Sequence, residues 1–337
     1  MRKQNWIMVL LAAVFFAGYA HGYTMEEVVQ RGFLQCGVST GSPGFSSIDA
    51  DGRWTGLDVD ICRAVAAATL GDAEKVEFLP LAERESFTAL LSGAVDILSR
   101  HSTWTFTRES ALAVHFAGIS YYDGQGLLLS KKLNVNRLSD LRKVRVCSPV
   151  GSDFELNLID YFERNEVDYK IVPYETLDLA VNGFKKETCD LVSMQQSQLY
   201  GIQMGLVDPG SAVVLPEVIG KEPLGSVVRQ DDDTWLNIVK WSLYAMINAE
   251  ELGVTSANVE EMRYSNILAV KRLVGRNGTG GKGIGLEDDW AVQIIRQVGN
   301  YGEIFEKHFG SRSALKIERG MNNLWNQGGL QYAPPLQ

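Results

Sequence analysis

Nine consecutive residues, Arg100-His101-Ser102-Thr103-Trp104-Thr105-Phe106-Thr107-Arg108, place two guanidinium groups and three threonine hydroxyls in one short stretch. An arginine fork pairs two-point with a carboxylate, and hydroxyls with backbone N–H groups complete the shell of the same anion. The stretch therefore has the chemistry of a carboxylate receptor; a solvated polar loop is the plainer alternative. Three more polar segments, at 39–44, 148–153 and 193–197, each follow a short apolar run. Other patterns carry less. Gly37-Val38-Ser39-Thr40-Gly41 fits the G-x-S-x-G nucleophile elbow, which turns directly from strand into helix. Here Pro43-Gly44 and the loop to Thr55 leave no room for that turn. Gly278-Thr279-Gly280-Gly281-Lys282-Gly283 has glycine where a phosphate loop needs Ser or Thr after the lysine, and no strand leads into it. No C-x-x-C occurs and histidines are few, so neither a metal nor a cofactor is expected. A paired-carboxylate enzyme stays open, because sequence shows no distances.

These segments need a scaffold, and the composition allows one. A chain of 337 residues with 45% hydrophobic and 22% charged positions is globular, which excludes a disordered, collagen-like or polytopic membrane chain. The length predicts two domains or one large one. A net charge of −9 argues against a nucleic-acid partner, whose phosphates require a basic face. Met1-Arg2-Lys3, the apolar run from Trp6 to Ala20 and the break at Ala20-His21-Gly22 have the order of a secretory signal peptide, cleaved after Ala20 or Gly22. The run is shorter than the roughly 20 residues a spanning helix needs. An exported, soluble, acidic protein is expected. Cys36, Cys62, Cys147 and Cys189 allow three pairings between which sequence does not choose. Their two neighbourhoods favour 36–62 and 147–189.

Strands are expected at 33–38, 76–79 and 96–98, with helices at 57–70, stopped by Gly71, and at about 84–92. The rhythm repeats from residue 144: strands at 144–147, 169–172, 190–192 and 212–215 alternate with helices at 152–162, 177–184 and near 197–204. Alternation of this kind predicts parallel sheets covered on both faces. After a strand at 224–229, helical stretches follow at 236–249 and 290–305. The plan is two α/β lobes: 23–128, then 129–222, then a return to the first lobe and a C-terminal extension at 223–337. Two crossings form a hinge, and a hinged cleft can close on a ligand. In open α/β sheets that ligand lies beyond the carboxyl ends of the strands, where the polar segments fall.

Gly56-Leu57-Asp58-Val59-Asp60 before a helix resembles the G-F-D-x-D signature of periplasmic binding proteins for polar amino acids. The threonine-rich segment ending in Arg108 is similar to that family's carboxylate-binding loop. Phe116-Ala117-Gly118 and Tyr121-Tyr122 resemble its continuation. The likeness narrows to the general L-amino-acid-binding, AapJ-like branch through Ser99–Thr105, Tyr-Tyr-Asp-Gly-Gln-Gly (121–126) and Lys-Glu-Pro-Leu-Gly (221–225). Ala-Glu-Glu-Leu-Gly (249–253), Val-Gly-Asn-Tyr-Gly-Glu (298–303) and Gly-Gly-Leu-Gln-Tyr-Ala-Pro-Pro (328–335) extend it over the whole mature chain.

The resemblance implies a type II periplasmic binding protein, two α/β lobes with a two-strand hinge, serving an ABC permease in the inner membrane. A monomer is expected. By position, Arg108 would clamp a ligand α-carboxylate, Thr103 would add a hydroxyl and an amide, and the backbone at His101 would lie alongside. Ser39 and Ser42 fall where the family makes first-loop contacts; Gly151 and Ser152 would offer N–H groups at a helix N-terminus. One position departs. The family usually places an aspartate for the α-ammonium five residues beyond the Asp that opens the strand, and from Asp190 that count reaches Gln195. His101 stands where the branch tends to have Asn. An amide in place of the carboxylate weakens the contact or changes the ligand, unless another acid, such as Asp153, takes over. Two other roles share the scaffold: an enzyme of the cyclohexadienyl-dehydratase kind, with His101 as its acid or base, and ligand presentation to a membrane sensor.

Overall fold

A computed structural model describes residues 24–277 and 281–336. The expected signal peptide at 1–22 and Gly278-Thr279-Gly280 of the glycine-rich loop lie outside the described residues. The first half of the chain runs α1 (Thr24–Arg31), β1 (Leu34–Ser39), a small hairpin of β2 (Ser47–Ile48) and β3 (Trp54–Thr55), then α2 (Leu57–Leu70) and β4 (Val76–Leu81). It continues through α3 (Glu83–Leu91), β5 (Ile97–Thr103), α4 (Phe106–Ala111) and β6 (Val114–Phe116). Alanine-rich α2 has no polar face because it is covered on nearly every side, and Gly71 stops it in the left-handed conformation at φ 68°.

Strand β7 (Tyr121–Ser130) then leads into β8 (Lys143–Pro149), α5 (Asp153–Arg164), β9 (Asp168–Tyr174), α6 (Leu177–Lys185), β10 (Leu191–Gln195), α7 (Gln196–Met204) and β11 (Ala212–Val214). Strand β12 (Gly220–Arg229) returns the chain to α8 (Asp233–Glu251), α9 (Val259–Met262), α10 (Leu268–Leu273), α11 (Trp290–Gln297) and α12 (Tyr301–His308).

Apart from the β2–β3 hairpin, the strands form one mixed sheet, ordered β4-β1-β5-β12-β7-β10-β8-β9, with β11 beside β7 and β6 beside β12. β1 runs parallel to β4 and β5, and β8 runs parallel to β9 and β10. β7 and β12 pair antiparallel with each other and with β10 and β5, so two parallel blocks merge where separate sheets are expected from sequence. Val65, Trp235, Ile295 and Phe305 belong to the core under the first block. The second block is packed on both faces: Leu129, Val146 and Phe162 on one side, Leu128, Val192 and Leu199 on the other. Adjacent Leu128 and Leu129 point oppositely, as a strand covered on both faces requires.

Two expectations change. β5 continues past Leu98 to Thr103, because pairing with β12 holds its polar end in the sheet. The helical stretch at 290–305 is two helices. Gly299 adopts φ 109°, and Asn300 caps α12 through a reciprocal box with Glu303.

Cys36 of β1 is bonded to Cys62 of α2, and Cys147 of β8 to Cys189 ahead of β10, one bridge within each block. The C-terminal segment returns to the start of β7. Asn322 accepts from the Tyr122 N–H (2.7 Å) and donates to its carbonyl (3.0 Å), while the Tyr301 hydroxyl donates to the Ser120 carbonyl (2.9 Å). Among the described residues no helix is long and apolar enough to cross a membrane.

Candidate functional site

The carboxyl ends of β5 and β10 and the hinge strands β7 and β12 converge on one polar neighbourhood. Thr105 caps the short helix α4, its hydroxyl accepting the Arg108 N–H at 3.2 Å. That turn directs Arg108 back onto β5. Its Nη1 donates to the Thr103 carbonyl (3.0 Å) and its Nη2 to Glu83 (3.2 Å), with the guanidinium 5.8 Å above the Phe87 ring. The Glu83 side chain is 69% exposed, so this ion pair is weakly held and exchangeable.

Thr103 is the node. Its hydroxyl donates to Glu222 Oε2 on β12 at 2.6 Å and accepts from Gln195 Nε2 at 3.2 Å. The same Gln195 nitrogen lies 3.4 Å from Glu222 Oε2. Arg108, Thr103, Gln195 and the returning strand β12 are thus one connected network across the two blocks. Beneath it, the buried Asp123 carboxylate of β7 accepts from the Ser197 hydroxyl and from the Ser197 N–H (3.3 Å). Burial pushes the Asp123 carboxyl up to about 7, against the lowering effect of the Ser197 bonds and with a further upward push from Glu222.

His101 is buried with φ 45°, its ring 5.0 Å from that of Phe45. Its Nδ1 is 3.4 Å from Asp58 Oδ2, but the two are not aligned as a hydrogen bond. The first loop is pinned by Gly56 at φ 135°, where a Cβ would collide with the Phe45 carbonyl. Ser39 shares a 2.6 Å hydrogen bond with Ser46. Ser42 Oγ, Asp58 Oδ2, Arg100 Nε, His101 Nδ1 and Ser102 Oγ are all buried without a hydrogen-bonding protein partner. Buried polar atoms are normally satisfied, and those of Ser42, Arg100, His101 and Ser102 belong to two of the polar segments singled out in the sequence.

Gly151 and Ser152 stand apart from this network. Gly151, at φ 71°, donates its N–H to the Glu155 carboxylate at 2.6 Å, and Ser152 caps α5 by accepting the Glu155 N–H. The helix N-terminus is thus already answered by its own carboxylate. Asp153 is exposed, whereas Glu222 reaches Thr103 and Gln195. Glu222 and Asp123 are not among the residues the resemblance singles out, although they lie in the segments 221–225 and 121–126. Asp123, a lone acid in a strand otherwise without charge, carries a signal in the sequence; Glu222, beside Lys221, does not. Among the described residues no group of three or more His, Cys, Asp or Glu is disposed to hold a metal ion. Surface depressions around Arg319 and around Arg145 lie apart from these residues.

Comparison with known proteins identifies a family and its relatives. The family described as bacterial extracellular solute-binding proteins, family 3, matches residues 34–257. The chain is 47% identical over 323 residues to the general L-amino acid-binding periplasmic protein AapJ of Rhizobium johnstonii, covering 95% of each. It is 42% identical over 338 residues to the glutamate/glutamine/aspartate/asparagine-binding protein BztA of Rhodobacter capsulatus, covering 100% of each. A solved structure of an ABC transporter periplasmic binding protein from Brucella ovis, with glutathione bound, is 48% identical. It superposes with a TM-score of 0.88 over 94% of this chain and 100% of that one.

Proposed function

We propose that this chain, which belongs to the bacterial extracellular solute-binding proteins of family 3, captures an L-amino acid or a related small carboxylate and delivers it to the permease of an ABC importer. Its fold is the type II periplasmic binding protein. The observation that carries the reading is the network Arg108–Thr103–Gln195–Glu222, which spans both blocks at the strand ends amid orphaned polar atoms.

The lobes are 23–128 with 223–337, and 129–222, joined by β7 and β12. A ligand carboxylate exchanges with Glu83 on the Arg108 fork and takes the backbone groups at His101 and Thr103. Ser39 and Ser42 line the same cleft, and Gly151 and Ser152 join it on closure, when Glu155 gives up the Gly151 N–H at the α5 N-terminus to the ligand. The role is capture and release, with no bond made or broken. The protein works in the periplasm as a monomer after removal of its signal peptide.

Calorimetry of the mature protein against the common L-amino acids and glutathione tests this. Binding of at least one L-amino acid at micromolar affinity or tighter is expected, and binding of none overturns the reading. Glutathione belongs in the panel because the Brucella ovis relative carries it.

A further inference from the structure

Gln195 removes a charge from the place where an α-ammonium would need one, and the neighbourhood supplies another. Glu222 Oε2 takes the Thr103 hydroxyl at 2.6 Å and lies 3.4 Å from Gln195 Nε2, at the meeting point of β5, β10 and β12. Asp123 sits directly opposite Glu222 in the β7–β12 register. Neither carboxylate has an Arg, Lys or His nitrogen within 4.0 Å among the described residues, although Arg108 is bonded to Thr103 itself. The adjacent Lys221 is exposed and pairs with neither. Other acids nearby are spoken for or badly placed. Asp58 is buried beside His101 and Ser99, Glu83 is on the Arg108 fork, Glu155 closes the α5 N-terminus, and Asp153 faces solvent.

We propose that Glu222, held by Thr103 and Gln195, receives the ligand's α-ammonium, replacing from the hinge strand the carboxylate that β10 lacks. This rests on the reading that the ligand lies in the cleft, and it names the ligand class: a zwitterion whose carboxylate meets Arg108 and whose ammonium meets Glu222. Both ends then bear on Thr103, which accepts the ion-pair geometry from both sides: its carbonyl holds Arg108 and its hydroxyl holds Glu222. Gln195 serves as a positioning donor to Glu222. A carboxylate there would remove that donor and add a like charge.

The test measures binding of each L-amino acid that the wild-type protein takes, beside its desamino analogue of the same carbon skeleton (glutarate for L-glutamate, propionate for L-alanine). In E222Q the amino acid is expected to bind on the order of 10- to 100-fold more weakly, the strength of a hydrogen bond to a charged group. The preference over the desamino analogue shrinks by the same factor. Equal loss for both ligands, or a loss below threefold for the amino acid, overturns the assignment while leaving the cleft reading intact. Wild-type protein that takes no L-amino acid overturns both. Q195D provides a second arm should E222Q not fold: the proposal expects no gain in amino-acid affinity, and a tenfold gain overturns it. A loss confined to D153N likewise assigns the ammonium elsewhere.

Discussion

Asp123 and Glu222 face each other across the antiparallel pair β7–β12, the two strands by which the chain leaves one lobe and re-enters it. Opposed like charges in a sheet are unfavourable, and burial raises the Asp123 carboxyl to about 7.

Stability should therefore respond to pH through Asp123. Its folded value exceeds the ordinary 3.8, so the penalty is absent below pH 4, grows as pH rises and is complete above about 7. The separation corresponds to about 4 kcal/mol at most. D123N should be more stable than wild type at pH 8, with the difference shrinking toward pH 4. Denaturant unfolding from pH 4 to 8 checks this, and a difference independent of pH contradicts it.

Arg108→Ala should lower ligand affinity by about 30-fold or more while leaving the fold intact. The ligand carboxylate would otherwise enter a closing cleft without its partner, at a cost of about 2–5 kcal/mol. The residue's own contacts in the free protein are to a backbone carbonyl, an exposed carboxylate and the face of Phe87, so little stability rests on them. Calorimetry with circular dichroism decides; unchanged affinity would remove Arg108 from the site.

Replacing both cysteines of either bridge by alanine should cost roughly 3–4 kcal/mol in the chain-entropy account. The bridges close loops of 26 and 42 residues. The Cys147–Cys189 loss should leave the first block folded, since that bridge lies wholly within the second. Non-reducing peptide mapping that found free thiols, or a bond between the blocks, would refute the pairing.

Much of the scaffold is legible in the sequence because it is local. The α2 helix and its Gly71 stop, and the strand–helix alternation from residue 144, arise from neighbouring residues. The extension of β5 through Arg100-His101-Ser102 is not, because polar residues stay in a strand only when a partner holds them. That partner, β12, pairs Leu224 with Thr103, far along the chain. The break at Gly299-Asn300 was readable, since glycine and a capping asparagine are ordinary stop and start signals. Arg108, Thr103 and Gln195 stand out as candidates from residue type and resemblance. Glu222 does not, because its role exists only once the register of β12 sets it beside Thr103 and Gln195.

The two crossings also set an order of assembly. Residues 131–219 form one uninterrupted stretch, whereas the other lobe is split between the beginning and the end of the chain. A chain emerging from its N-terminus can complete β8, β9 and β10, with the Cys147–Cys189 bond, from contacts within that stretch. The edge of β5 stays unpaired until residues 220–229 arrive, and an open edge of that kind invites intermolecular pairing. Long-range pairings are the slow ones, so β12 is expected to dock late. The strand that closes the sheet is the one that carries Glu222, so on that order the proposed ammonium contact is assembled only when the sheet is complete.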